Sequence, residues 1–390
     1  MGSTAQALTR AGPLTGVRVV EFAGIGPGPM CAMLLADLGA TVLRIDRKQP
    51  SELGIPRPLK YNLTLRSRRS IALDLKDPRG IAAALQLMGR ADALIEGFRP
   101  GVMERLGLGP EVCLQHNPRL AYGRMTGWGQ TGPLAQTAGH DLGYIAVTGI
   151  LNAIGRAGAA PSVPLNLIGD FGGGALYLAM GLLAAVIEAR QSGHGQVIDA
   201  AIVDGTASLA TQHFGMHAAG MLQPERGTNM TDSGSHFYET YECADGKWLA
   251  VGPIEPKFYL QLLQRLDLNA ADLGPQNDAA SWPRAKAILA AKFRTRTRDA
   301  WAELFADSDA CVAPVLDFDE APQHAQVRAR GTFIEVDGVM QPAPAPRFSR
   351  TPAATPDPPA PVNDDNTRAA LAGWIDGAQL AAWRSAGFLG

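Results

Sequence analysis

The chain has 390 residues and a formal net charge of −2, enough length to bury a large core and to hold two domains. A charge so nearly balanced gives no electrostatic reason to expect nucleic acid or an anionic membrane as a partner. Its 44 glycines and 28 prolines point to many turns and close backbone approaches rather than to disorder.

Residues 1–10 are small and polar, lack the basic-then-apolar order of a signal sequence, and read as a loose tail. Val17-Arg18-Val19-Val20-Glu21-Phe22 reads as a strand. It runs into the turn Ala23-Gly24-Ile25-Gly26-Pro27-Gly28-Pro29, an apolar helix over 30–38 and a second strand over 41–46. That order is a βαβ unit of the nucleotide-binding kind. The glycines do not spell GxGxxG, and Pro27 and Pro29 lack the amide donors of a phosphate cradle, so no dinucleotide cofactor is expected. Arg47 and Lys48 follow the second strand at its carboxyl end, where open α/β sheets bind ligands. Lys60, Arg66, Arg68 and Arg69 add a basic cluster that suits either the phosphates of a nucleotide-like group or a solvated loop.

Further strands are expected over 70–75, 93–96 and 118–125, with a helix over 78–88 and another carrying Arg105. Such βα alternation predicts an α/β fold with a parallel sheet covered on both faces. The apolar run 175–187 is shorter than a bilayer span and reads as a buried helix before a new element at 196–200. Residues 224–235 lose their apolar period and read as a linker. A hairpin around Ala244-Asp245-Gly246 then opens a smaller α+β domain over 236–330, after a large first part over 11–223. Residues 331–390 return through a proline-rich tether at 342–361 to an amphipathic helix at 378–386. Cys31, Cys113, Cys243 and Cys311 are scattered without a CxxC pair, which fits neither a disulfide framework nor a zinc site and points to a reducing, cytoplasmic home.

The stretch 138–174 concentrates the chemistry. Gly139-His140-Asp141-Leu142-Gly143-Tyr144 is followed, after apolar sequence, by Asn166-Leu167-Ile168-Gly169-Asp170-Phe171-Gly172-Gly173-Gly174. A histidine and an aspartate beside glycines are how two different acid/base groups are brought to one site. On residue chemistry alone the plainer reading is stronger, with His140 and Asp141 capping a helix and Asp170 in a turn.

Taken in order, Ala23 to Pro29, Arg99-Pro100-Gly101-Val102, Arg124-Met125-Thr126-Gly127-Trp128-Gly129, Gly139-His140-Asp141 and Gly169-Asp170-Phe171-Gly172-Gly173-Gly174 resemble the alpha-methylacyl-CoA racemases of the family III CoA-transferase group. The resemblance runs from Gly16 to Gly387. It implies a Rossmann-like large domain built from both chain ends, a small domain between, and two chains interlocked as a homodimer with the site shared between them. It also implies an acyl-CoA substrate, no cofactor and no metal. His140 and Asp170 match the family's two acid/base groups, Glu255 matches a glutamate that orients the histidine, and Asp141 is counted with them among the catalytic residues. Ile25, Arg47, Leu73, Asp74, Leu75, Lys76, Arg105, Gly139 and Tyr144 fall on substrate or CoA contacts, Leu73 to Lys76 as a nucleotide-contacting strand. Gly143 departs from the pattern, standing where the racemases carry asparagine near the acyl chain or thioester. The implied reaction inverts the alpha carbon of a 2-methylacyl-CoA through an enolate that backbone amides near Asp141 or Gly172 would stabilise. The rivals are a CoA-transferase using Asp170 as nucleophile and a noncatalytic acyl-CoA-binding protein.

Overall fold

The computed structural model describes residues 10–49 and 54–389, so the expected tail lies outside the described residues except for Arg10. The chain divides into two compact units. One holds the described residues up to Ile145, Leu165–Leu209 and the described residues from Arg328 onward; the other holds Ala146–Pro164 and Ala210–Val327. Residues 146–164 and 210–223, grouped from sequence with the large domain, therefore cluster with the second unit. Arg156 shows what ties the first of these stretches there: it donates to Glu239 Oε2 at 2.7 Å and Thr240 Oγ1 at 2.9 Å.

The first unit carries six strands, β1 (Arg18–Phe22), β2 (Thr41–Asp46), β3 (Arg69–Ala72), β4 (Ala93–Glu96), β5 (Ala121–Thr126) and β6 (Gln196–Ala201). All pair in parallel, in the order β3-β2-β1-β4-β5-β6. Strand alternation sorts their side chains into two cores. Val20, Phe22, Leu43, Ile45, Leu94 and Tyr122 meet helix α2 (Pro78–Met88) and the chain's end through Trp374, Trp383 and Phe388. Val19, Val42, Ala93, Ile95 and Ala121 meet helix α1 (Pro27–Asp37) and helix Tyr177–Ser192. Both faces of the central strands are covered, most completely at β4, whose four residues are all buried. Short helices α3 (Val102–Arg105) and α4 (Pro110–His116) lie between β4 and β5, and α5 (Asp141–Val147) follows β5.

Two local expectations change. The strand expected to run through Leu75 stops at Ala72. Leu73 then makes a single bridge to Leu389, and the Asp74 N–H is taken by the Phe388 carbonyl at 3.1 Å, so the chain's end diverts this segment. The buried helix is part of a longer continuous run, Leu167–Ser192, long and apolar enough by composition to cross a membrane. One side packs on the sheet through Leu178, Leu182 and Ala185, whereas Leu176, Met180 and Ile187 on the other side are exposed.

In the second unit β7 (Glu239–Glu242) and β8 (Trp248–Val251) form the expected hairpin, and β9 (Val312–Pro314) adds an antiparallel third strand. Tyr241, Leu249 and Val251 pack with Phe237 against helices Pro256–Leu266, Trp282–Phe293 and Arg298–Phe305. The return segment of the first unit begins with a hairpin of its own, β10 (Phe333–Val336) and β11 (Val339–Pro342), before a stretch without regular structure.

Candidate active site

In the sheet order, β2 and β3 extend to one side of β1 and β4, β5 and β6 to the other. The crevice at the carboxyl ends of β1 and β4 is therefore a topological switch point, where open α/β sheets bind ligands. Residues 23–26 leave β1 there and residues 97–101 leave β4. Gly26 has φ 67°, and a Cβ on it would stand 3.2 Å from Asp170 Oδ2. Glycine thus lets the β1 turn lie directly against the Asp170 carboxylate.

Asp170 sits on a π-helical segment, Leu167–Leu176, packed beside helix Ile202–Leu209 and α1. Asn166 Nδ2 donates to its Oδ2 at 3.3 Å, and its own N–H donates to Asp141 Oδ1 at 2.6 Å. Burial holds the Asp170 carboxyl above the usual carboxylate range; the Asn166 bond opposes this, the Asp141 charge adds to it and His140 opposes it. A carboxylate raised in this way is a stronger base than one in open water.

His140 is exposed immediately before α5, and its carbonyl accepts the N–H groups of Gly143 at 2.8 Å and Tyr144 at 3.3 Å. Its backbone therefore does start a helix, as the plainer reading had it, while its ring remains available. The Tyr144 ring is buried, edge-on to Trp128 at 4.8 Å between centroids, in space that Gly127 and Gly139 leave open. Burial raises the Tyr144 hydroxyl, the Asp170 charge raises it further, and Arg99 opposes. Gly139, His140, Asp141, Tyr144 and Asp170 are thus gathered at one place, together with Asn166 and Arg99.

The family model described as CoA-transferase family III matches residues 14–367. The chain belongs to CoA-transferase family III. It is 47% identical over 342 residues to a mouse protein named alpha-methylacyl-CoA racemase, covering 87% of both chains. A human protein of the same name is 44% identical over 345 residues, again with 87% of each covered. Among solved structures, a CAIB/BAIF family protein from Brucella suis superposes with a TM-score of 0.79 at 26% identity, over 94% of this chain and all of that one.

The remaining expected contacts of this family III chain divide sharply. Arg47 is exposed at the end of β2, its guanidinium 5.9 Å from the centroid of Phe98 in the β4 loop. Arg105 is exposed on α3, near Gly101 of the same loop. Ile25 is 45% exposed on the β1 turn beside Gly26. Lys76 is exposed, its N–H held by Asp74 Oδ1 at 2.9 Å in a turn, with Leu75 half-buried. Leu73, in contrast, is a core residue 1% exposed, so its side chain is closed to a ligand. A Cβ at Gly143 would meet nothing within 4 Å, so this departure leaves open space.

The basic cluster needs a correction. Arg66 is buried against Asp37 and Gln341, and Arg68 is buried on Glu21. Both are spent on internal carboxylates that sequence spacing cannot reveal, because Glu21 and Asp37 are far away in the chain. Lys60 lies 3.8 Å from Asp337. Glu255 precedes helix Pro256–Leu266 in the second unit, exposed, its carbonyl accepting the N–H groups of Phe258 and Tyr259 at 3.0 Å. Among the described residues no three His, Cys, Asp or Glu side chains group as a metal site.

Asn166 and Arg99 were missed as site residues. Asn166 stands one helical turn before Asp170, a spacing at which side chains meet. Arg99 follows β4 at its carboxyl end, the position that singled out Arg47 after β2.

Proposed function

We propose that this chain is an alpha-methylacyl-CoA racemase, inverting the alpha carbon of 2-methylacyl-CoA thioesters through an enolate. The observation that carries this reading is the pairing, at the switch point, of an exposed imidazole with a carboxylate whose basicity burial has raised. The two named racemases above support the substrate class. One group takes the alpha proton; the C–H electron pair moves into the thioester, giving the enolate oxygen its charge. The other group returns a proton to the opposite face and the electron pair moves back, so atoms and electrons balance without an added cofactor or metal. His140 and Asp170 exchange these roles between the two enantiomers.

Glu255 orients His140 from the partner chain of an interlocked homodimer, as a carboxylate fixes an imidazole tautomer. The exposed Leu176, Met180 and Ile187 on an otherwise packed helix support a large partner surface. The large domain is built from both chain ends and the small one lies between. Four free cysteines agree with a reducing cytoplasm.

Incubating (R)- or (S)-2-methylacyl-CoA with the protein in deuterated water tests the function. The expected result is deuterium at the alpha carbon and a racemic product, with no acceptor acid present. Activity that requires a free carboxylic acid would establish instead a CoA-transferase using Asp170 as nucleophile.

The CoA end is assigned to Arg47 and its neighbours at the carboxyl end of β2. Arg47→Ala is expected to raise KM roughly tenfold with kcat nearly unchanged, because binding common to ground and transition states is lost. Steady-state kinetics against acyl-CoA checks this; an unchanged KM moves the CoA elsewhere.

A further inference from the structure

Asp141 follows His140 directly, yet it is only 7% exposed. Its Oδ1 accepts the Asp170 N–H at 2.6 Å, while Oδ2 has no hydrogen-bond partner among the described residues. The surroundings are fitted to this carboxylate. A Cβ on Gly169 would overlap Asp141 Oδ1 and stand 2.9 Å from Ile145 Cγ2, so glycine there leaves the room that Asp141 fills.

The bond also falls at a particular step of the π-helical segment. A π-helix joins each N–H to the carbonyl five residues back, which leaves its first amides without an internal acceptor. Phe171 N–H already reaches the Asn166 carbonyl at 3.3 Å. Asp170 is the residue immediately before that first rung, and Asp141 satisfies its amide.

Resting on the racemase reading above, we propose that Asp141 is a positioning residue: its buried carboxylate clamps the turn at Asp170 and sets a fixed negative charge beside it, without itself transferring a proton. The carboxylate is buried and bonded to backbone, whereas the imidazole beside it is exposed, so His140 and not Asp141 is open to a substrate carbon. The charge works on Asp170 in a known direction. Burial is the largest cause raising the Asp170 carboxyl, the Asn166 bond and His140 oppose it, and Asp141 adds to it. Tyr144 on α5 and Arg99 from the β4 loop face the same ground. Removing the Asp141 charge therefore lowers the Asp170 value, and the limb of the pH profile that reports its deprotonation moves to lower pH.

Two variants and two readouts test this. Asp141→Ala, which loses clamp and charge, is expected to lower kcat roughly 10- to 100-fold with KM changed less than about threefold, as misplacing a reacting group does. Amide hydrogen exchange over residues 169–171 should quicken in it. The conservative Asp141→Asn keeps an acceptor oxygen, so it should restore most of kcat and the amide protection, while its pH limb still moves down. Three results would overturn the proposal: racemisation lost as fully in Asp141→Asn as in Asp170→Asn, unchanged protection and kcat in Asp141→Ala, or an unmoved limb in Asp141→Asn. If the alanine variant does not fold, the asparagine limb decides. Amide protection is read without turnover, so a wild-type protein that exchanges no alpha proton refutes the racemase reading and leaves the clamp to be judged by protection alone.

Discussion

Asp170→Asn and His140→Ala are each expected to lower racemisation by roughly a hundredfold to ten-thousandfold, the range for losing a positioned acid or base. Each inversion needs both a base and an acid, so neither group can stand in for the other. The losses should nevertheless differ in kind. In His140→Ala, Asp170 can still deprotonate the face it sees; in Asp170→Asn, only the face seen by His140 remains. Each variant should show slow deuterium wash-in with retained configuration, on opposite enantiomers. The environments predict a further contrast: Asp170 is held partly buried between the Gly26 turn and Asn166, whereas His140 is open to solvent. Asparagine keeps the shape of the Asp170 site, so circular dichroism should not change. A His140→Ala protein that racemises both enantiomers at the original rate would return His140 to a purely structural role at the start of α5.

Much of the fold was legible in the sequence because its determinants are local. The βαβ start, the β7–β8 turn at Asp245-Gly246 and the helix after Gly174 each rest on residues within a few positions of one another. The β10–β11 hairpin was legible too and was missed: Val336-Asp337-Gly338-Val339 is an Asp-Gly turn, with φ 50° and 69° at its centre. It lies just ahead of the proline-rich tether at 342–361. What sequence could not supply was the fate of charges. Arg66, Arg68 and Arg47 look alike along the chain, and only the fold shows that two are buried against carboxylates while Arg47 is exposed. The burial of the Leu73 side chain was hidden for the same reason, since its neighbour is Leu389 at the far end of the chain.

Arg66→Met is expected to be the most damaging change outside the site. Arg66 grips Asp37, the last residue of α1, with Nε at 3.2 Å and Nη2 at 2.5 Å, and its Nη1 donates to Gln341 Oε1 at 2.9 Å and the Pro342 carbonyl at 2.7 Å. One guanidinium thereby joins three distant segments. Asp37 is 1% exposed, so removing the arginine leaves a buried carboxylate without its main partner, a loss of roughly 3–5 kcal/mol. In a unit of this size that corresponds to a fall in Tm of roughly 10 °C. The effect should depend on pH with a definite sign. Burial already raises the Asp37 carboxyl, against the opposing pull of Arg66, Arg10 and Arg68. Such a group contributes most to stability below its unfolded value of 3.8 and loses that contribution as pH rises through its folded value. Without Arg66 the folded value climbs further, so the deficit of the variant is largest at neutral pH and shrinks toward pH 4. The double variant Asp37→Leu, Arg66→Met should recover much of the loss, because no charge is left stranded. Thermal melts of the three proteins at pH 5 and pH 7.5 decide it: a deficit equal at both pH values, and not relieved in the double variant, would mean that Arg66 acts through packing of its stem and not through the buried charge of Asp37.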